Sequence, residues 1–225
     1  MKSLLATAVL VLALGAAVWY GLSREPEPLP EGPRQVLPAS QFANPEASIG
    51  YYQERLRRNP DEVASYAALA QVLLQQATDT HRETEFVPQA QEIIEEGLSR
   101  SPNDYHLRLL NGTLLNKLHR FEDSRAQAQN LLAEHPKDSY AHGILVDALV
   151  ELGEYPAAVE AMDAMLAIKP GVASFTRASY LRELHGDGPG AIAAMRMAAD
   201  AGLKGTSDRS WALYNLANLY LADAK

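Results

Sequence analysis

The chain has 225 residues, 47% of them hydrophobic, enough for one sizeable domain or an elongated array. It contains no cysteine, which excludes disulfides, thiolate metal sites, a cysteine nucleophile and a lipidated cysteine. The formal net charge of −8 argues against nucleic acid, whose phosphates demand a basic face.

The first element is MKSLLATAVLVLALGAAVWYGLSR. Leu4–Leu22 carries no charge. Its helical length is about 28 Å, close to a bilayer core of about 30 Å. Trp19 and Tyr20 fall where interfacial aromatics belong, and Lys2 with the amino terminus favours a cytoplasmic start. Residues 1–23 are therefore expected to form a transmembrane signal-anchor, with the remainder across the membrane. A cleaved signal peptide is the rival reading: Gly15, Ala16 and Ala17 are small, although the apolar run continues beyond them. Residues 24–44 follow as a linker. Prolines 26, 28, 30, 33 and 38 fix φ and remove donors, so the segment reads as an extended spacer.

The rest, 45–225, is repetitive. Pro102, Pro136 and Pro170 stand 34 residues apart, and Leu98, Leu132 and Leu166 keep the same step. So do Ala90, Ser124 and Ala158, and so do the corner aromatics Phe121 (HRFED) and Tyr155 (GEYPA). In LVDALVELG and AAVEAMDAML apolar residues recur at three and four, which gives two amphipathic helices per unit. No such pair hides its apolar stripe alone, so the pairs must stack. The units run at about 63–104, 105–138, 139–171 and 172–205, with a partial first helix at 210–225 in YNLANLY. Pro45–Asn59 reads as a solitary second helix ended by Pro60. The step from Pro60 to Pro102 is 42, eight beyond the period, and the surplus falls in ATDTHRETEF. It predicts a longer loop or an extended first helix. One residue is missing near Gly171.

This pattern resembles the tetratricopeptide repeat. Ser139–Val172 is the best copy, with Leu145, Leu149, Gly153, Tyr155, Ala158 and Pro170 in the family's slots; Tyr105–Asp138 follows with Gly112, Phe121, Ser124 and Pro136. The resemblance covers about 45–225 and implies an all-α chain: a right-handed α-solenoid of helical hairpins behind the N-terminal transmembrane helix. It further implies that first helices line a concave groove for protein or peptide partners. The groove candidates are Gln71, Gln75, His106, Leu109, Thr113, Asn116, Lys117, Tyr140, Asp147, Glu151, Thr176, Tyr180 and Glu183. The subtype that clasps a terminal carboxylate needs clustered Lys, Arg and Asn. Ala67 and Gln71 stand at those places in the first unit, so it is rejected.

Little in the chain suggests chemistry. No His-Glu-x-x-His pairing exists, and His119 and His185 sit at helix ends, where a donor meets free carbonyls. GDGPG at 186–190 follows a helix rather than a strand and reads as a turn. Met162, Met165, Met195 and Met197 fall at core spacing. No catalytic residue, metal, cofactor or small-molecule substrate is expected, and the protein is read as no enzyme. SWALYNLANLYLADAK places Trp211, Leu213, Tyr214, Leu216, Leu219, Tyr220 and Leu221 around most of one helix, although a terminal helix should turn a polar face outward. Either the chain is truncated, or a partner covers Trp211, Leu216 and Tyr220. The leading expectation is a non-enzymatic scaffold on a bacterial inner membrane, with its repeats in the periplasm or, after signal cleavage, free there. A permanent accessory subunit of a larger membrane complex and the repeat region of a longer enzyme are the alternatives.

Overall fold

The computed structural model of the protein describes residues 44–223. Among them the chain forms ten helices: α1 (Pro45–Arg58), α2 (Val63–Thr80), α3 (Glu83–Arg100), α4 (Tyr105–Lys117), α5 (Phe121–Glu134), α6 (Ser139–Glu151), α7 (Tyr155–Ile168), α8 (Val172–Leu184), α9 (Gly188–Ala201) and α10 (Ser207–Asp223). The expected span Leu4–Leu22 lies outside the described residues, as does all but the last residue of the 24–44 linker. No described helix is long and apolar enough to cross a membrane.

The helices pair as hairpins: α2 with α3, α4 with α5, α6 with α7, α8 with α9. Each second helix also packs on the next first helix, and α2, α4, α6, α8 and α10 touch in succession. The described residues are thus an all-α helical-repeat solenoid whose first helices form one continuous layer. Helix α1 packs on α2 as an unpaired second helix, and α10 packs on α9 and α8 as an unpaired first helix.

Local chemistry repeats with the hairpins. Asp104 and Asp138, one period apart, cap α4 and α6: Asp104 accepts from the Leu107 N–H at 2.9 Å, and Asp138 from Tyr140 at 2.7 Å and Ala141 at 3.1 Å. At the third such position the chain has lost a residue and Gly171 has no side chain to offer. There the Gly171 N–H donates to the Ser174 hydroxyl at 3.0 Å. The small slot opens the close approach within each hairpin: Ala90, Ser124, Ala158 and Ala191 are all fully buried. Ser124 donates its buried hydroxyl to the Gly112 carbonyl at 3.0 Å, and Ser179 donates to the Ala191 carbonyl at 2.8 Å, so neither buried hydroxyl lacks a partner.

The eight surplus residues do not form a long loop. Helices α2 and α3 have 18 residues each, whereas α6 has 13 and α7 has 14. About one turn is added to each helix, near the 3.6-residue period, so the inward faces keep their register. Pro88 records where the turn went. Its counterparts Pro156 and Pro189 lie in the first turns of α7 and α9, but α3 starts earlier and encloses Pro88. There it removes an internal hydrogen bond.

The hairpin corners need a left-handed residue. Gly153 and Gly186 supply it with φ of 75°, but His81 and His119 hold φ of 55° and 56°. A non-glycine residue there costs about 1–2 kcal/mol. Glycine gives back about 0.5–1 kcal/mol of that in chain entropy. His81→Gly should therefore raise stability by about 0.5–1 kcal/mol, read as a higher urea midpoint at unchanged slope. His185 reaches the Leu181 carbonyl at 2.7 Å, but His119 makes no such bond; its ring stands edge-on to Phe121 at 5.4 Å. Phe121 is half-buried, while Tyr155 is exposed at its corner. Met162, Met165 and Met195 are buried; Met197 is not, because two residues on a helix turn a side chain by about 200°.

Candidate functional site: a groove along the first helices

The layer of first helices carries two adjoining cavities. The first, about 270 Å³, lies between α4, α6 and α8 and is lined by Asn116, Lys117, His119, Phe121, Val146, Asp147, Val150, Glu151, Arg177, Tyr180 and Leu181. The second, about 570 Å³, lies between α6, α8, α9 and α10 and is lined by Asp147, Thr176, Arg177, Tyr180, Glu183, Met195, Trp211, Asn215, Asn218 and Leu219. Asp147, Arg177 and Tyr180 belong to both, so the two adjoin along one face of the first-helix layer, called the groove below. Helical period explains the membership. Asp147, Val150 and Glu151 share one face of α6, and Thr176, Tyr180 and Glu183 share one face of α8.

An ion pair holds the middle. Arg177 Nε donates to Asp147 Oδ1 at 2.8 Å and Arg177 Nη2 donates to Asp147 Oδ2 at 2.6 Å, a bidentate bridge from α8 to α6. Arg177 Nη1 donates to the Ala173 carbonyl at 2.9 Å. Burial opposes the guanidinium's charge, but the Asp147 carboxylate outweighs it and raises the arginine pKa. Gly143 makes the room: a Cβ there would stand 3.3 Å from Arg177 Cζ. At the rim Lys117 Nζ donates to Glu83 at 3.2 Å. Asn116 Nδ2 donates to the Ile144 carbonyl at 3.1 Å, and its buried Oδ1 has no partner among the described residues.

Seven groove candidates line these cavities: Asn116, Lys117, Asp147, Glu151, Thr176, Tyr180 and Glu183. The other six line neither. Gln71 and Gln75 are exposed on α2, where Gln75 donates to Asp79 at 2.8 Å. His106, Leu109 and Thr113 are half-buried on α4. Tyr140 is exposed, with Lys169 Nζ 4.9 Å from its ring centre. Trp211 lines the larger cavity, and Tyr220 is exposed, bonded to Arg196 through its hydroxyl. Leu216 packs inward against the cluster of Met195, Ala198, Ala199 and Ala212 instead of facing a partner. The open face of α10 is Trp211, Leu213, Tyr214, Tyr220 and Leu221.

Sequence reasoning missed Arg177, the residue that organises the groove. A signal existed: its counterparts one and two units back are Ile144 and Leu110, so a charge enters an apolar slot. Asn215 and Asn218 were also missed, although they sit beside Trp211 at helical spacing. Among the described residues no three His, Asp or Glu side chains gather as a metal site.

Stacked hairpins with a groove across their first helices define a helical-repeat protein. Residues 109–173 match the tetratricopeptide repeat family model, and the described array has the fold of tetratricopeptide repeat proteins. It is similar to a thermophilic tetratricopeptide repeat protein of Thermus thermophilus, with 16% identity and a TM-score of 0.66 over 79% of this chain and 91% of that one. A tetratricopeptide repeat protein of Parabacteroides merdae aligns with 14% identity and a TM-score of 0.65 over 81% and 66%. MamA of Desulfovibrio magneticus aligns with 15% identity and a TM-score of 0.55 over 72% and 88%. No curated protein matches the sequence.

Proposed function

We propose that the protein is a non-enzymatic scaffold that binds protein or peptide partners in the groove between α4 and α10. The observation that carries this is the pair of adjoining cavities that share Asp147, Arg177 and Tyr180 as walls. Together they make a long, mixed polar and aromatic trough suited to an extended segment. The chain is tethered to a bacterial inner membrane by Leu4–Leu22, with the array on the periplasmic side as a right-handed superhelix. The uncharged run, its aromatic end and Lys2 support the tether, and the resemblance to the repeat family supports the handedness.

A second reading, a permanent accessory subunit of a membrane complex, draws support from α10. Its Trp211, Leu213, Tyr214, Tyr220 and Leu221 are exposed together, and no described helix covers them. In α6 the counterparts of Ala217 and Tyr220, Val146 and Leu149, are buried beneath the partner helix.

A photo-crosslinking residue at position 180 of the full chain, in alkali-washed native membranes, tests the scaffold reading. Position 180 is expected to capture a discrete partner that position 197, on the outer side, does not. Equal capture from both would overturn groove binding. Loss of the protein from washed membranes would overturn the tether. Capture from position 221 alone, in fixed stoichiometry, would favour the subunit reading.

A further inference from the structure

We infer that the groove selects an extended segment bearing basic side chains, arginine foremost. This rests on the groove reading above and names the chemistry of its occupant.

Both wall cations have partners within the fold: Lys117 with Glu83, and Arg177 with Asp147 and the Ala173 carbonyl. Three of the acceptors do not. The side-chain carboxylates of Glu151 and Glu183 make no hydrogen bond or ion pair with another described residue, and Asn116 Oδ1 is buried without a donor. The unsatisfied charge in the groove is therefore negative. It lies beside Tyr180 and Trp211, which are 48% and 51% exposed.

An acidic segment would meet two free carboxylates and, among the described lining residues, no unpaired Lys or Arg. A purely apolar segment would strip water from those carboxylates without replacing its hydrogen bonds, which is costly. A guanidinium answers both wall chemistries: it donates two parallel hydrogen bonds to a carboxylate and stacks on an aromatic face. The low-dielectric walls strengthen that attraction relative to an open surface.

Three acetylated, amidated decapeptides of Gly/Ser background, carrying two Arg, two Gln or two Glu, provide the probe. Binding to the full chain is measured by fluorescence anisotropy at low salt. One exposed ion pair plus one cation–π contact, together about 1.4 kcal/mol, amount to about a tenfold preference for the Arg peptide over the Gln peptide. The Glu peptide should bind more weakly than both. Glu151→Gln with Glu183→Gln should erase the preference while leaving the circular dichroism unchanged, since both side chains are exposed. Added salt should weaken the Arg peptide most.

Equal binding of the three peptides, or a preference that survives the double variant, overturns the inference. If Tyr180→Ala abolishes binding of all three alike, the groove reading stands and only the basic selectivity falls. If no peptide binds yet position 180 still crosslinks a partner, the basic selectivity falls again. If both are blank, the groove reading falls with it. Self-association of the full chain that disappears in the double variant would assign the groove to a second copy and overturn the inference.

Discussion

Gly97→Leu should destabilise the array by about 1–2 kcal/mol, the cost of overpacking less the better helix propensity of leucine. A Cβ at Gly97 would stand 2.7 Å from Leu107 Cδ1 and 2.9 Å from Tyr66 Cβ. The leucine terminus can rotate away, but Tyr66 Cβ is fixed to its helix. The same slot in later units holds Leu131, Met165 and Ala198, all buried. At the position of Tyr66 the units of Leu131 and Met165 carry the half-buried Arg108 and His142, and the unit of the small Ala198 carries Phe175, again an aromatic. Tyr66 is buried and fills that volume, with its hydroxyl within hydrogen-bond reach of two acceptors, the Pro60 carbonyl at 3.1 Å and Glu96 Oε1 at 2.9 Å. A large residue on one helix thus requires a small one on the other. Urea titration of Gly97→Leu, Tyr66→Gly and the double variant checks this, since glycine at position 66 removes both the ring and the Cβ that the leucine would strike. The double variant should be more stable than the sum of the single losses implies. Strict additivity, or a wild-type midpoint for Gly97→Leu, would contradict the account.

Leu107→Ala should cost about 3 kcal/mol, within the range for a fully buried leucine. Leu107 is 0% exposed and reaches from α4 onto α3 at Gly97, so its removal opens the seam between the first two hairpins. Stability in a stacked array is a sum of hairpin and nearest-neighbour terms. The loss should therefore be local. Hydrogen exchange is expected to speed up in α2–α4 and to stay close to wild type in α8 and α9. Uniform acceleration across all the helices would mean that the array unfolds as one body.

Much of the fold was readable because a helical hairpin is encoded locally. The three-and-four spacing, the proline every 34 residues and the Ala or Ser slot each act within one unit. Repetition let weak signals reinforce one another. The division of the surplus residues was harder to read. ATDTHRETEF shows where extra length lies, but whether it loops out or winds into helix depends on two helices growing together at a shared corner. Part of the groove was readable too, because first-helix residues facing away from the stripe follow from the period. Leu216 shows the limit. Its helix is apolar around most of its circumference, so sequence could not say which side α8 and α9 would cover.

The amino-acid sequence alone determined an all-α repeat of two-helix units, their approximate bounds, and the residue types that let paired helices approach. These follow from backbone geometry and the burial of apolar stripes, which neighbouring residues dictate. Only the tertiary structure decided the groove's electrical character. Arg177 meets Asp147 and Lys117 meets Glu83 across different helices, in pairs separated by 30 and 34 residues. Which charges are neutralised and which remain open depends on distances through space, and composition carries no record of those.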